Sequence, residues 1–152
     1  MRVAVSCDHA GFLLKQTALD VVQEMGHLAL DLGTDSADVA VDYPDFAERV
    51  GRAIQMGEVD RAILICGSGV GATVAANKMN GVYACLCHDT YSAHQGVEHD
   101  QINVLCLGGR IIGVELAKEI IRSFLNAEPS SEKRHLRRVG KVRKIELDQR
   151  NG

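Results

Sequence analysis

Short apolar runs alternate along this chain with longer stretches in which apolar positions recur every three or four residues. The runs Val3–Ser6, Leu28–Asp31, Ala62–Cys66, Val82–Cys87 and Val104–Leu107 read as strands. The stretches between them, Gly11–Met25, Pro44–Met56, Val70–Met79, Tyr91–Glu98 and Gly113–Leu125, read as helices. In the first helix Leu14, Ala18, Val21, Val22 and Met25 fall on one face. Strict alternation of strand and helix predicts an α/β fold, a five-stranded parallel sheet with helices on both faces. At 126–131, NAEPSS, Pro129 and two serines end the fifth helix, and Ser131 is placed to cap a last helix through Arg143 or beyond. Residues 1–152 are thus expected to form a single domain, with 132–150 as a helical extension.

In an open parallel sheet, ligands bind beyond the carboxyl ends of the strands. The residues that follow each predicted strand are Cys7-Asp8-His9, Gly33-Thr34, Cys66-Gly67-Ser68-Gly69, His88-Asp89 and Gly108-Gly109-Arg110. Ionisable groups and glycines therefore gather on the edge where the topology expects a pocket. Within Ala62–Lys78, AILICGSGVGATVAANK, a thiol, a glycine loop and a helix start meet at one spot. A thiol at a helix N-terminus is held toward its thiolate form by the dipole and the nearby amides. The same amides can stabilise charge that develops on oxygen. The loop also fits a dinucleotide pattern, but it follows the third strand, and the acidic residue some 20 positions on would be Asp89, beside a histidine.

Composition narrows the classes. The chain has 152 residues, 46% apolar and 24% charged, as expected of a globular protein. No apolar run approaches the roughly 20 residues that span a bilayer, and the start MRVAVSCDHAG reads as strand and turn rather than a signal peptide. A cytoplasmic location without membrane contact is expected. Five cysteines (7, 66, 85, 87 and 106), none in a C-x-x-C pair, argue against zinc and against a disulfide framework. Four read as core packing and Cys66 as chemical.

The net charge of -3 hides an asymmetry: residues 133–150 carry eight Lys or Arg against two acids, the rest nine against eighteen. With three Tyr, three Phe and no Trp, the basic tail is a poor nucleic-acid surface. Arg134, His135, Arg137 and Arg138 read as a cationic turn in which Arg134 and Arg138 share a helix face suited to a phosphate. A metal cluster can be drawn from His88, Asp89, His94, His99 and Asp100, but no two of these histidines have the i, i+4 spacing that puts ligands on one helix face. Asp8-His9 reads either as an acid/base or ligand pair, or as a helix start that Asp8 caps.

The segments SCDHAGFLLK, DLGT, DYPDFA, LICGSGVGATVAANK, YSA, INVLCLGGRIIG and RHLRRV together resemble the type B ribose-5-phosphate isomerases, the family that includes the galactose-6-phosphate isomerase subunits. The resemblance runs nearly the whole chain. It implies a Rossmann-like three-layer sandwich, a homodimer or homotetramer with active sites at the dimer interface, a phosphorylated sugar as substrate, and no metal or other cofactor. It also implies roles. Cys66 is the base that moves a proton between C1 and C2. In some relatives a glutamate just past the loop takes that part, and here the position is Ala72. Gly67, Ser68, Gly69, Val70 and Gly71 form the anion hole for an enediolate, the Ser68 hydroxyl assisting. His99 opens the sugar ring, with Asp8 at the other side. His9, Arg134 and Arg138 hold the phosphate, joined by Arg110 from the partner subunit, and Tyr43 lines the pocket. Asp100 contacts the substrate where the family often has Asn in an HND pattern. An ionised Asp only accepts hydrogen bonds, whereas Asn also donates. The expected reaction is the isomerisation of ribose 5-phosphate to ribulose 5-phosphate. Another four- to six-carbon sugar phosphate, or a non-catalytic sugar-phosphate-binding regulatory domain, are the alternatives.

Overall fold

The computed structural model describes residues 1–150. Eleven elements follow one another: β1 (Arg2–Cys7), α1 (Phe12–Glu24), β2 (Leu28–Asp31), α2 (Tyr43–Gln55), β3 (Arg61–Cys66), α3 (Val70–Ala76), β4 (Ala84–Leu86), α4 (Thr90–Asp100), β5 (Val104–Gly108), α5 (Val114–Asn126) and α6 (Lys133–Arg150). The strands form one parallel sheet in the order β2-β1-β3-β5-β4. This is the α/β architecture the alternation predicts.

Strand side chains divide by parity, as the two-residue period of a strand requires. Val3, Val5, Ile63, Ile65, Leu105 and Leu107 face a core made with α1, α4 and α5. Ala4, Ala62, Leu64, Cys66, Val104 and Cys106 face the opposite core, made with α2 and α3. Both sheet faces are covered, which is why the strands read as continuous apolar runs rather than as alternating ones. Burial makes most of the thiols packing groups. Desolvation pushes Cys7 up to about 11 and Cys106 up to about 12.

Three elements differ from the sequence expectation, each for a local reason. α3 stops at Ala76 instead of Met79 because Asn77 turns out of the helix. Its side chain then donates to the Ala84 carbonyl and accepts from the Ala84 amide, both at 2.8 Å. That contact covers the outer edge of β4. β4 is itself shorter than Val82–Cys87, since the Tyr83 amide goes to Asn103 Oδ1 rather than to a strand. α6 starts from Glu132, whose carbonyl accepts from His135 and Leu136, and not from a Ser131 cap. α6 packs on α4: Ser130 N–H donates to the Glu98 carbonyl at 2.8 Å, and Arg143 Nη2 to Gln101 Oε1 at 2.7 Å.

Candidate active site

β1, β3 and β5 lie side by side, with Cys7 in register with Ile65 and Cys66 in register with Gly108. The chain leaves β1 toward β2 on one side, and β3 and β5 lie on the other, so the loops after β1 and β3 part and leave a crevice. A cleft of about 410 Å³ opens there. Its floor is Cys66, Gly67 and Ser68, and its walls are Asp8, His9 and Ala10 on one side and Arg110 and Ile111 on the other. Tyr43, the first residue of α2, reaches over Gly71. A larger groove of about 490 Å³ lies between α6 and the turn after α3, beside the amino end of β4 and away from the carboxyl ends of the strands. There the Glu146 carboxylate is engaged by the Gly81 amide and the Tyr83 hydroxyl. The smaller cleft is the chemical one, since it gathers the thiol, a carboxylate, an imidazole and a guanidinium.

Backbone amides hold Cys66, Ser68, Asp8 and His9 in the cleft. Cys66 is 5% exposed, and its Sγ accepts the Gly69 amide at 3.1 Å. Gly69 has φ +79°, a left-handed conformation, and a Cβ there would stand 2.5 Å from Leu86 Cδ1 and 3.0 Å from the Leu107 carbonyl carbon. A glycine is required at this position. The Val70 amide goes to Ser68 Oγ at 3.3 Å, which leaves the Ser68 hydroxyl proton free to donate. Of the four amides a helix leaves unpaired at its start, the loop therefore uses two itself. Gly71, whose amide is one of the remaining two, lines the cleft. The anion hole expected over Gly67–Gly71 is thus narrower than the whole loop.

Asp8 is buried, and its Oδ1 accepts the Ala10 and Gly11 amides at 2.9 and 3.0 Å. It fixes the turn before α1, whose cap is Gly11 rather than Asp8 itself, and it lines the cleft. His9 Nδ1 accepts the Val41 amide at 3.2 Å, which puts the hydrogen of the neutral ring on Nε2. The loop after β2 is held in turn by Lys15, whose ammonium donates to the Thr34 carbonyl at 2.8 Å and pairs with Asp31 at 2.9 Å.

The other half of the expected site lies elsewhere in the chain. α4 leaves the carboxyl end of β4 and returns to the amino end of β5, so His99 and Asp100 sit at the amino edge of the sheet. Roughly 13 Å of strand separates that edge from Cys66. Arg134 and Arg138 are on the first turns of α6, which docks on this end of α4. None of these four residues lines the cleft. Arg110, expected from a partner subunit, instead lines the cleft of its own chain, its Nη1 3.6 Å from where a Gly67 Cβ would stand.

The basic run needs a second correction. Arg134 and Arg138 are exposed, but His135 between them is buried, and its ring stacks on His99. Burial first, and then His99 and the two arginines, pull His135 below its ordinary value of 6.5, so it is no part of a cationic surface. A buried histidine inside RHLRR carries the same sequence signal as an exposed one. His88, which the sequence offered only as a possible metal ligand, instead accepts the Gly108 amide through Nε2 at 2.9 Å and fixes the strand end that leads to Arg110. Among the described residues no three His, Cys, Asp or Glu side chains gather as a metal site would require. Asp89 caps α4 through the Ser92 amide at 2.6 Å, and His94 pairs with Glu98 at 3.1 Å.

Comparison with known proteins places this arrangement. Residues 3–142 match the family model described as Ribose/Galactose Isomerase. The chain is 43% identical over 145 residues to ribose-5-phosphate isomerase B of Escherichia coli K12, covering 95% of this chain and 96% of that one. It is 42% identical over 128 residues to D-erythrulose-4-phosphate isomerase of Pectobacterium atrosepticum, covering 84% of each. The structure of Clostridium thermocellum ribose-5-phosphate isomerase B superposes with a TM-score of 0.93 at 40% identity, covering 98% of this chain and 99% of the other. Matched by that model over most of its length and sharing the fold at about 40% identity, this chain belongs to the ribose/galactose isomerase family of sugar-phosphate isomerases.

Proposed function

We propose that this protein interconverts ribose 5-phosphate and ribulose 5-phosphate, with Cys66 as the base that moves the proton between C2 and C1. The observation that carries the reading is the Cys66 thiol at the carboxyl end of β3, held by the Gly69 amide and facing a cleft lined by Asp8, His9 and Arg110. The alternative position for a base, after the loop, is Ala72, which is fully buried and carries no ionisable group. Asp8 already spends one carboxylate oxygen on two amides.

In the open-chain aldose, the Cys66 thiolate takes the C2 proton and the electrons move to O1. The resulting enediolate faces the free donors of the loop, the Ser68 hydroxyl and the Gly71 amide among them. Cys66 then returns the proton to C1 while the O2 proton passes to O1, leaving the carbonyl at C2. A thiol suits both directions because its ordinary pKa is close enough to neutrality for it to act as base and then as acid. Ring opening comes first: the O1 hydroxyl gives up its proton toward Asp8, the C1–O4 bond breaks, and O4 is protonated by His99.

His99, Arg134 and Arg138 reach this cleft from a second copy of the chain. The separation of the two sets of residues supports this, as do the exposed apolar side chains of Ile111 in the cleft and of Val70 and Val74 on α3, which are 60%, 53% and 57% exposed. The start of α6 carries Lys133, Arg134 and Arg138 against one carboxylate, Glu132, which pairs with Arg134 at 2.8 Å, so the cluster keeps a net positive charge at the positive end of the helix and draws an anion. The sugar phosphate supplies one, held from the other side by His9 Nε2–H. The setting is cytoplasmic: five unpaired cysteines fit a reducing compartment, and no described helix is long and apolar enough to cross a membrane.

The test is deuterium exchange at C2 of ribose 5-phosphate, followed by NMR in D₂O. Cys66→Ala is expected to slow exchange by at least about a hundredfold while the sugar phosphate still binds. Exchange at the unmodified rate would remove Cys66 from the mechanism. Binding of ribose 5-phosphate without exchange by the unmodified protein would show a non-catalytic sugar-phosphate domain. A panel of four- to six-carbon sugar phosphates, compared by kcat/KM, sets the substrate, with Asp100→Asn as the variant that reads the hydrogen-bond donor at that position.

A further inference from the structure

Two imidazole rings lie face to face where α4 meets α6. The centroids of His99 and His135 are 3.9 Å apart and their planes 16° from parallel. In other respects the two rings differ. His99 is half-buried, with Nδ1 3.0 Å from the side-chain amide of Gln95, one turn earlier on α4. His135 is 4% exposed. Its Nδ1 is the one buried side-chain nitrogen or oxygen that lacks a hydrogen-bond partner among the described residues. A buried polar atom without a partner costs stability, and so calls for an explanation other than packing.

The groups that bear on His135 are Arg134 and Arg138 of its own helix, Glu132 at the start of that helix and His99 of α4. Only Glu132, 4.0 Å from Nε2, favours the charged ring. Burial, His99 and both arginines oppose it and favour the neutral ring. A neutral ring can lie against an imidazolium, whereas two imidazoliums at this separation repel. The stack is not a loose contact of two mobile helices. Hydrogen bonds lie on both sides of it, from Ser130 to Glu98 and from Arg143 to Gln101, the latter in the left-handed conformation at φ 56° that ends α4.

We propose that His135 is a positioning residue for His99: its buried ring is a platform that, together with Gln95 at Nδ1, fixes the His99 plane and leaves Nε2 as the nitrogen free to exchange a proton with a sugar. The inference rests on the reading of His99 as the ring-opening group. Without the platform the His99 ring turns about its side-chain bonds, and the fraction of time Nε2 meets the ring oxygen falls. Proton abstraction by Cys66 does not depend on that contact.

The two ends of the reaction separate these steps. Ribose 5-phosphate closes through O4 to a furanose and must be opened. Ribulose 5-phosphate, whose O5 carries the phosphate, has no hydroxyl to close such a ring and stays open. His135→Ala should lower kcat from ribose 5-phosphate by roughly tenfold or more, yet leave deuterium exchange at C1 of ribulose 5-phosphate within about twofold. His135→Phe, which keeps a flat ring without nitrogens, should restore most of the forward rate. Gln95→Leu, which removes only the contact at Nδ1, should show the same asymmetry as His135→Ala and covers the case in which that variant fails to fold. Equal losses on both substrates, no loss on either, or no rescue by Phe would overturn the platform. His99→Ala tells the two readings apart: if it lacks the asymmetry, His99 is not the ring opener and the underlying reading fails, whatever His135 does.

Discussion

The Gly69 amide donates to Cys66 Sγ across 3.1 Å, so the residue that bends the loop into a left-handed turn also holds the thiol. Gly69→Ala tests both parts of this relationship. The added Cβ requires a strained φ, costing roughly 1–2 kcal/mol. It also meets the backbone of Leu107, which does not yield as a side chain would. A total loss of about 2–4 kcal/mol is expected in urea unfolding. In the fraction that stays folded, kcat should fall at least about tenfold because the shift forced by the Cβ displaces the amide that holds the thiol. Unchanged stability together with unchanged kcat would show that the loop holds the thiol in some other way.

Separation of Cys66 from His99 within one chain makes a mixing experiment decisive. Cys66→Ala and His99→Ala chains, each expected to be strongly impaired in converting ribose 5-phosphate, are denatured together in equal amounts, refolded and assayed on that substrate. If the site takes Cys66 from one copy and His99 from another, half of the dimers are mixed and each of these has one intact site. About a quarter of the unmodified activity should return. A mixture as inactive as its parents would place both residues in the same chain's site.

Arg61 provides a test of the fold away from the cleft. Its buried guanidinium donates to the Phe124 and Ala127 carbonyls, both at 2.7 Å, and so closes the end of α5. Arg61→Leu leaves those carbonyls unpaired and should cost about 2–4 kcal/mol, read as a lower denaturation midpoint. At temperatures where the variant is folded, the Cys66-dependent exchange should be close to that of the unmodified protein.

His135 contributes a pH dependence whose sign follows from its burial. Its pKa in the fold lies below the ordinary 6.5. As pH falls through 6.5, the unfolded chain takes up the proton first, and folding stability declines until the folded-state value is passed, below which this contribution levels off. Chemical unfolding of the protein and of His135→Phe at a series of pH values between 7 and 5 should show the decline in the first and a shallower one in the second. Parallel profiles would mean that His135 titrates alike in the folded and unfolded chains.

The alternation of strand and helix was legible because each buried strand is a short apolar run and each helix carries a repeating apolar stripe. Boundaries failed where side chains compete with the backbone, as at Asn77, which leaves α3 to cover the edge of β4. The cleft was legible as well. Its residues Asp8, His9, Cys66 and Arg110 all lie just beyond strand ends, so strand assignment alone brings them to one edge. The order β2-β1-β3-β5-β4, by contrast, is a matter of pairing between distant segments and left no local mark in the sequence.

By itself, then, the sequence determined the layers, the loop that carries the thiol and the cluster of polar groups at the strand ends, because all three follow from local periodicity and turn chemistry. Tertiary structure alone decided what lies on the other edge. A helix of eleven residues carries His99 back across the sheet from its own strand end, and a helix docked from the end of the chain buries His135 against it. Both outcomes depend on packing between segments far apart in sequence, and they leave the Cys66 thiol and the His99 imidazole on opposite edges of a single chain.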